Sequence, residues 1–188
     1  MINIIILLGE VWYSPMRTNK MFQTIKLSGH YSSALDFKKK YPQATIVQKD
    51  YLNNFKNFIY NIKNNDPVII IYCGHGTDGN WCIGISRNDL FNITSTIKNN
   101  ITIVSDSCFS DSMNISNQRK NTIFISAARS SGKDENVSAY FTFDGGYLSN
   151  IFYEEYELNI KKEKLEKKIL KNYYKESLND NHLPQFFY

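Results

Sequence analysis

The chain has 188 residues, 42% of them apolar and 21% charged, with a formal net charge of +4. That length and balance suit one soluble domain with a single core, expected over 1–188 with no prodomain. No apolar run approaches the ~20 residues that cross a bilayer, and three cysteines are too few and too odd in number for a disulfide framework. The expectation is an intracellular, cytoplasmic protein with reduced thiols and no membrane partner.

Ile4 to Leu8 is a β-branched apolar run without a basic leader or a small-residue cleavage site, so it reads as a buried strand rather than a signal peptide. Ala34, Phe37 and Tyr41 follow at helical spacing, stopped by Pro42, and 44–47 reads as a short strand. Leu52, Phe55, Ile59 and Ile62 define an amphipathic helix that Asp66-Pro67 ends. Val68 to Tyr72 is apolar on both faces, as a central parallel strand is. Leu90, Ile93 and Ile97 give another helix face, and 101–104 and 123–125 two more strands. A helix follows Gly145-Gly146, a charged helix spans 158–178 with Leu165, Ile169 and Tyr173 inward, and 184–188 is a last edge strand. Alternating strands and helices predict an α/β fold with a mostly parallel sheet. The lysines of the late helix read as a solvated face, not a nucleic-acid site.

Functional groups in open α/β sheets gather beyond the carboxyl ends of strands. Two strands here end in reactive residues: one in Tyr72-Cys73-Gly74-His75-Gly76, the other in Ser105-Asp106-Ser107-Cys108-Phe109-Ser110. A thiol needs a base or cation beside it to become thiolate near neutrality, and adjacent strands would bring His75 to Cys108. Glycines on both sides of His75 leave room for a substrate backbone. Taken singly, a histidine after a strand is more often a bonded loop residue, and a cysteine there a small buried hydrophobe. Two such residues at two strand ends point to catalysis.

The motif at 72–76 resembles the Tyr-Ser-Gly-His-Gly of metacaspases and related caspase-like peptidases, and Asp106 to Ser110 resembles their nucleophile motif. Weaker likenesses run through Leu27-Ser28-Gly29, Ile125 to Ala128, Asp134-Glu135, Ser138-Ala139, Gly145-Gly146 and Pro184-Gln185. The resemblance implies a caspase-like three-layer sandwich, with a six-stranded, mainly parallel sheet and helices on both faces. It implies a cysteine endopeptidase acting on protein or peptide as a monomer, without cofactor or metal. Cys108 would be the nucleophile and His75 the acid–base, with the N–H groups of Gly76 and Cys108 as the oxyanion hole. Cys73 replaces the usual serine, and His30 and Ser33 replace a cysteine and an aspartate of the family's specificity pocket. Asp106, Cys73 and Ser33 would then line the substrate pocket, with Asp106 opening beside the nucleophile and favouring Lys or Arg before the cut. Only Asp78, Asp89 and Asp106 are acidic between His75 and Cys108, so activity is expected without calcium.

Three other readings compete. Cys73, His75, Cys82 and Cys108 could form a zinc site, although their spacing fits no common zinc motif. The chain could be an inactive caspase-like binding module. It could also bind nucleic acid or phosphate through Gly74-His75-Gly76, which lacks phosphate-loop spacing.

Overall fold

The computed structural model describes residues 1–9, 28–128, 139, 141–142, 145–176 and 183–188. Leu27, Asp134, Glu135 and Ser138 lie outside them, as does the end of the charged helix expected to reach 178.

The apolar runs form the centre of the molecule. β1 (Asn3–Leu8), β3 (Val68–Cys73), β7 (Ile101–Asp106) and β8 (Thr122–Ser126) are joined by the short β2 (Thr45–Val47) and β11 (Gln185–Phe187). They make one six-stranded sheet in the order β11-β8-β7-β3-β1-β2. All pairings are parallel except β11 with β8. This is the expected architecture, with the last strand antiparallel at the edge.

Side chains two apart on a strand share a face, and this alternation sorts the core into two layers. Ile4, Ile6, Ile69, Ile71, Cys73 and Val104 face α1 (Ser28–Lys40), α4 (Tyr147–Glu155) and α5 (Lys162–Lys175). Ile5, Leu7, Val68, Ile70, Tyr72 and Ile103 face α2 (Tyr51–Tyr60) and α3 (Arg87–Thr94). Helices therefore cover both sheet faces, which explains why the central strands are apolar throughout. α3 begins at a capping box: the Ser86 hydroxyl accepts the Asp89 N–H at 3.1 Å, and the Asp89 carboxylate accepts the Ser86 N–H at 3.0 Å.

The sequence pattern did not reveal two small additions. β4 (Gly76–Thr77), β5 (Asn80–Trp81) and β6 (Ile85–Ser86) form a separate antiparallel sheet after β3, and β9 (Phe141–Thr142) pairs with β10 (Gly145–Gly146). Two-residue strands carry no readable periodicity. Among the described residues no helix is long and apolar enough to cross a membrane.

Candidate active site

β3 and β7 run side by side in register, ending with Cys73 opposite Asp106. The Gly74 N–H extends this ladder to the Asp106 carbonyl at 3.1 Å. His75 and Cys108 each lie two residues past that last pair, so the sheet delivers both to one rim.

Each side is then fixed by its own contacts. On the histidine side, the Tyr72 hydroxyl donates to the His75 carbonyl. Burial pushes this phenol far above its ordinary pKa, so it stays a donor. Tyr72 also stacks on Trp81 with ring centroids 4.7 Å apart, and the Trp81 indole N–H donates to Ser105 Oγ at 2.9 Å. The Cys82 N–H donates to the His75 carbonyl at 2.9 Å, while Gly76 pairs with Trp81. Hydrogen-bonded and non-bonded pairs alternate along an antiparallel ladder, so the Gly76 N–H points away from β5. A Cβ on Gly76 would lie 2.3 Å from the Cys108 carbonyl oxygen and 2.7 Å from Ser107 Oγ. Only glycine permits this approach of the histidine strand to the nucleophile turn.

On the cysteine side, the chain turns sharply after β7. Phe109 has φ +53°, a left-handed conformation rare for a bulky residue, and leads into a 3₁₀ turn over Ser110–Met113. Serines hold this turn. Ser110 Oγ accepts the Ala128 N–H at 2.8 Å and lies 2.8 Å from Ser126 Oγ. Ser112 Oγ donates to the Phe109 carbonyl at 2.6 Å and accepts the Gly79 N–H at 2.7 Å, tying the turn to the β4–β5 connection. Cys108 is half-buried, and burial holds the His75 imidazole below its usual pKa and so neutral at neutral pH.

The three residues expected in the substrate pocket separate. Asp106 shares the face of Val104 and points under α4, where it is fully buried. Its Oδ2 accepts the N–H of Ser149, in the first turn of α4, at 2.7 Å. Cys73 lies beside it, taking a bond from Ser149 Oγ at 3.4 Å. Asp106 therefore caps a helix; the expectation that it opens onto a cavity beside the nucleophile is corrected by its burial. Ser33 is half-buried on α1 and lines a different cavity of about 550 Å³, with Asp36, Asn150, Tyr153 and Glu154. A zinc reading needs Cys73 and Cys82 together, but Cys73 is sealed under α4 whereas Cys82 is exposed. Among the described residues no three His, Cys, Asp or Glu side chains converge as ligands.

A family profile described as the peptidase C13 family matches residues 10–187, nearly the whole chain. The chain belongs to the peptidase C13 family. This supports a cysteine peptidase and places the likeness to metacaspases at the broader, caspase-like level. The structure of caspase-1 from Spodoptera frugiperda superposes with a TM-score of 0.68, covering 99% of this chain and 87% of that one, at 9% identity. The likeness to that caspase is one of fold. No curated protein sequence matches the chain significantly.

Within this C13 fold the buried carboxyl has a measurable consequence. Burial pushes Asp106 up to about 6 from 3.8, against the opposing bonds from Ser149. Between those values the folded state holds a proton that the unfolded chain has released. Its stabilising contribution is complete below 3.8 and is lost as pH rises through about 6. At 1.36 kcal/mol per unit this amounts to about 3 kcal/mol. Urea unfolding at ~pH 5 and ~pH 8 should show part of that loss, about 1–1.5 kcal/mol. Asp106→Asn, whose amide oxygen can still accept the Ser149 N–H, should lack it. An unchanged pH dependence in the variant would reject the assignment.

Proposed function

We propose that this C13 family member is a cysteine endopeptidase with Cys108 as nucleophile and His75 as general acid–base. The observation that carries the reading is the close approach of Gly76 to the Cys108 carbonyl at the matched ends of β3 and β7. The neutral imidazole accepts the thiol proton, and the thiolate attacks the scissile carbonyl. The oxyanion takes hydrogen bonds from the N–H groups of Cys108 and Gly76, the latter directed away from β5. His75 then protonates the leaving amine and later deprotonates the water that hydrolyses the acyl-enzyme. No step draws on a metal, so turnover should persist in EGTA.

The finer part of the proposal is a metacaspase-like preference for Lys or Arg before the cut. One feature supports it: the Ser33 cavity carries the carboxylates of Asp36 and Glu154. Against it stands the cap on α4, which already engages the Asp106 charge. The test labels the purified protein with an iodoacetamide probe and then compares peptides differing only in Arg, Lys, Asp or Ala before the scissile bond. Fast labelling should map to Cys108 and be lost in Cys108→Ala, leaving only the slower reaction of the exposed Cys82, and Arg and Lys peptides should be cut fastest. An unlabelled Cys108 would favour an inactive binding module. Faster cleavage after Asp, or unchanged selectivity when Asp36→Asn and Glu154→Gln are combined, would discard the basic preference.

A further inference from the structure

Hydrolysis gives no role to Cys82, yet the fold sets it beside the pair that carries it. Its N–H bond to the His75 carbonyl continues the β4–β5 ladder by one pair, so Cys82 stands directly across from His75. Residues opposite one another in an antiparallel ladder project from the same face. Through its other face the same strand packs Gly76, the next residue, against the Cys108 carbonyl, which sets the hairpin beside the nucleophile turn. Two of the three cysteines thus share one rim, Cys82 exposed and Cys108 half-buried. The third, Cys73, is buried on the opposite side of that rim, under α4.

We propose that Cys82 is a resolving thiol: after a hydroperoxide oxidises Cys108, Cys82 closes a disulfide on it and silences the site reversibly. This rests on the reading of Cys108 as the reactive nucleophile. In the first step the Cys108 thiol attacks the peroxide. An S–O bond forms and the O–O bond breaks, giving a sulfenic acid and releasing water or alcohol; sulfur loses two electrons and the peroxide gains them. In the second step the Cys82 sulfur attacks the sulfenic sulfur. The S–S bond forms, the S–O bond breaks, and the hydroxyl departs as water with the Cys82 proton. A dithiol reverses the bridge by thiol–disulfide exchange and becomes a disulfide itself. Without a neighbouring thiol the sulfenic acid proceeds to sulfinic acid, which a dithiol does not reduce.

Partial desolvation against the hairpin, and secondarily the charge of Cys108, hold the Cys82 thiol above its ordinary pKa. It therefore stays protonated at neutral pH, making it a poor first target for peroxide and suiting it to the second step. A disulfide needs its Cα atoms within about 7 Å. Any adjustment falls on the turn that Cys82 opens, held by the Gly84 N–H to the Trp81 carbonyl at 3.2 Å, and spares the central sheet.

The test treats the full chain with hydrogen peroxide, blocks remaining thiols and maps peptides by non-reducing mass spectrometry. The expected result is a Cys82–Cys108 peptide, loss of two of the three thiols, and recovery of both thiols and hydrolysis in dithiothreitol. Cys82→Ser should keep basal hydrolysis, accumulate Cys108 sulfinic acid under the same peroxide, and recover nothing. Sulfinic acid on Cys108 in the unaltered chain, a bridge to Cys73, or no oxidation of Cys108 would each overturn the proposal. The peptide map needs no turnover. A Cys82–Cys108 bridge in a chain whose Cys108→Ala variant still hydrolyses peptides would sink the peptidase reading and with it the silencing, whereas hydrolysis lost in Cys108→Ala without any such bridge would overturn this proposal alone.

Discussion

Alanine at Cys108 is expected to abolish peptide hydrolysis, and alanine at His75 to lower it by about 10³-fold or more. Each removes one half of a unit: without the thiol there is no nucleophile, and without the imidazole nothing takes the thiol proton or returns it to the amine. The double variant should therefore be little worse than either single one. Neither change threatens the core, because Cys108 and His75 are both only half-buried, beyond the ends of their strands. Circular dichroism and urea midpoints should stay near those of the unaltered protein. Burial disfavours the imidazolium, so His75 stays neutral to a lower pH than an exposed histidine. The acid limb of kcat/KM should accordingly lie below 6.5, the ordinary histidine value. Normal turnover in Cys108→Ala would end the proposal. An acid limb well above that value would mean that another group controls it.

Much of this architecture was legible because the apolar runs are unambiguous. Val68 to Cys73 and Ile101 to Asp106 are buried almost throughout, and only a strand covered on both faces requires that. The placement of His75 and Cys108 followed from one topological rule, that such strands present their carboxyl ends to ligands. The direction of Asp106 was half legible. Its spacing from Cys108 suggested a shared side, but its alternation with Val104 ties it to the layer under α4, and the N-terminus of α4 arrives there from forty-odd residues downstream. Local spacing carries no signal of such a contact. Nor could spacing reveal Cys82, whose place depends on a hairpin of two-residue strands. A Gly in its turn and a Trp beside it were the only hints.

The buried contact under α4 yields the second large effect: Gly146→Ala is expected to destabilise the protein by about 3–5 kcal/mol. The cause is space, since Gly146 has φ −68° and ψ 132°, which alanine adopts freely. A Cβ there would lie 2.1 Å from Asp106 Oδ2, 2.5 Å from Asp106 Cγ and 2.6 Å from Cys73 Sγ. Neither neighbour can easily yield, because both are buried at the ends of β7 and β3, where Cys73 and Asp106 form the last register pair. The start of α4 must lift instead, and the Ser149 N–H loses the carboxylate that it reaches at 2.7 Å. A bond to a charged acceptor contributes about 1.5–3 kcal/mol, and overpacking a tight core costs about 1–3 more. Hydrolysis at low temperature should fall less than stability, because the Cys73–Asp106 pair that precedes His75 and Cys108 keeps its place. A double-mutant cycle separates this cause from general intolerance of the position. Asp106→Ala removes the carboxylate that the new methyl meets, so Gly146→Ala should cost at least about 1 kcal/mol less in that background than alone. Strict additivity in urea unfolding would show that the two side chains do not compete for the same space, and the steric account would fail.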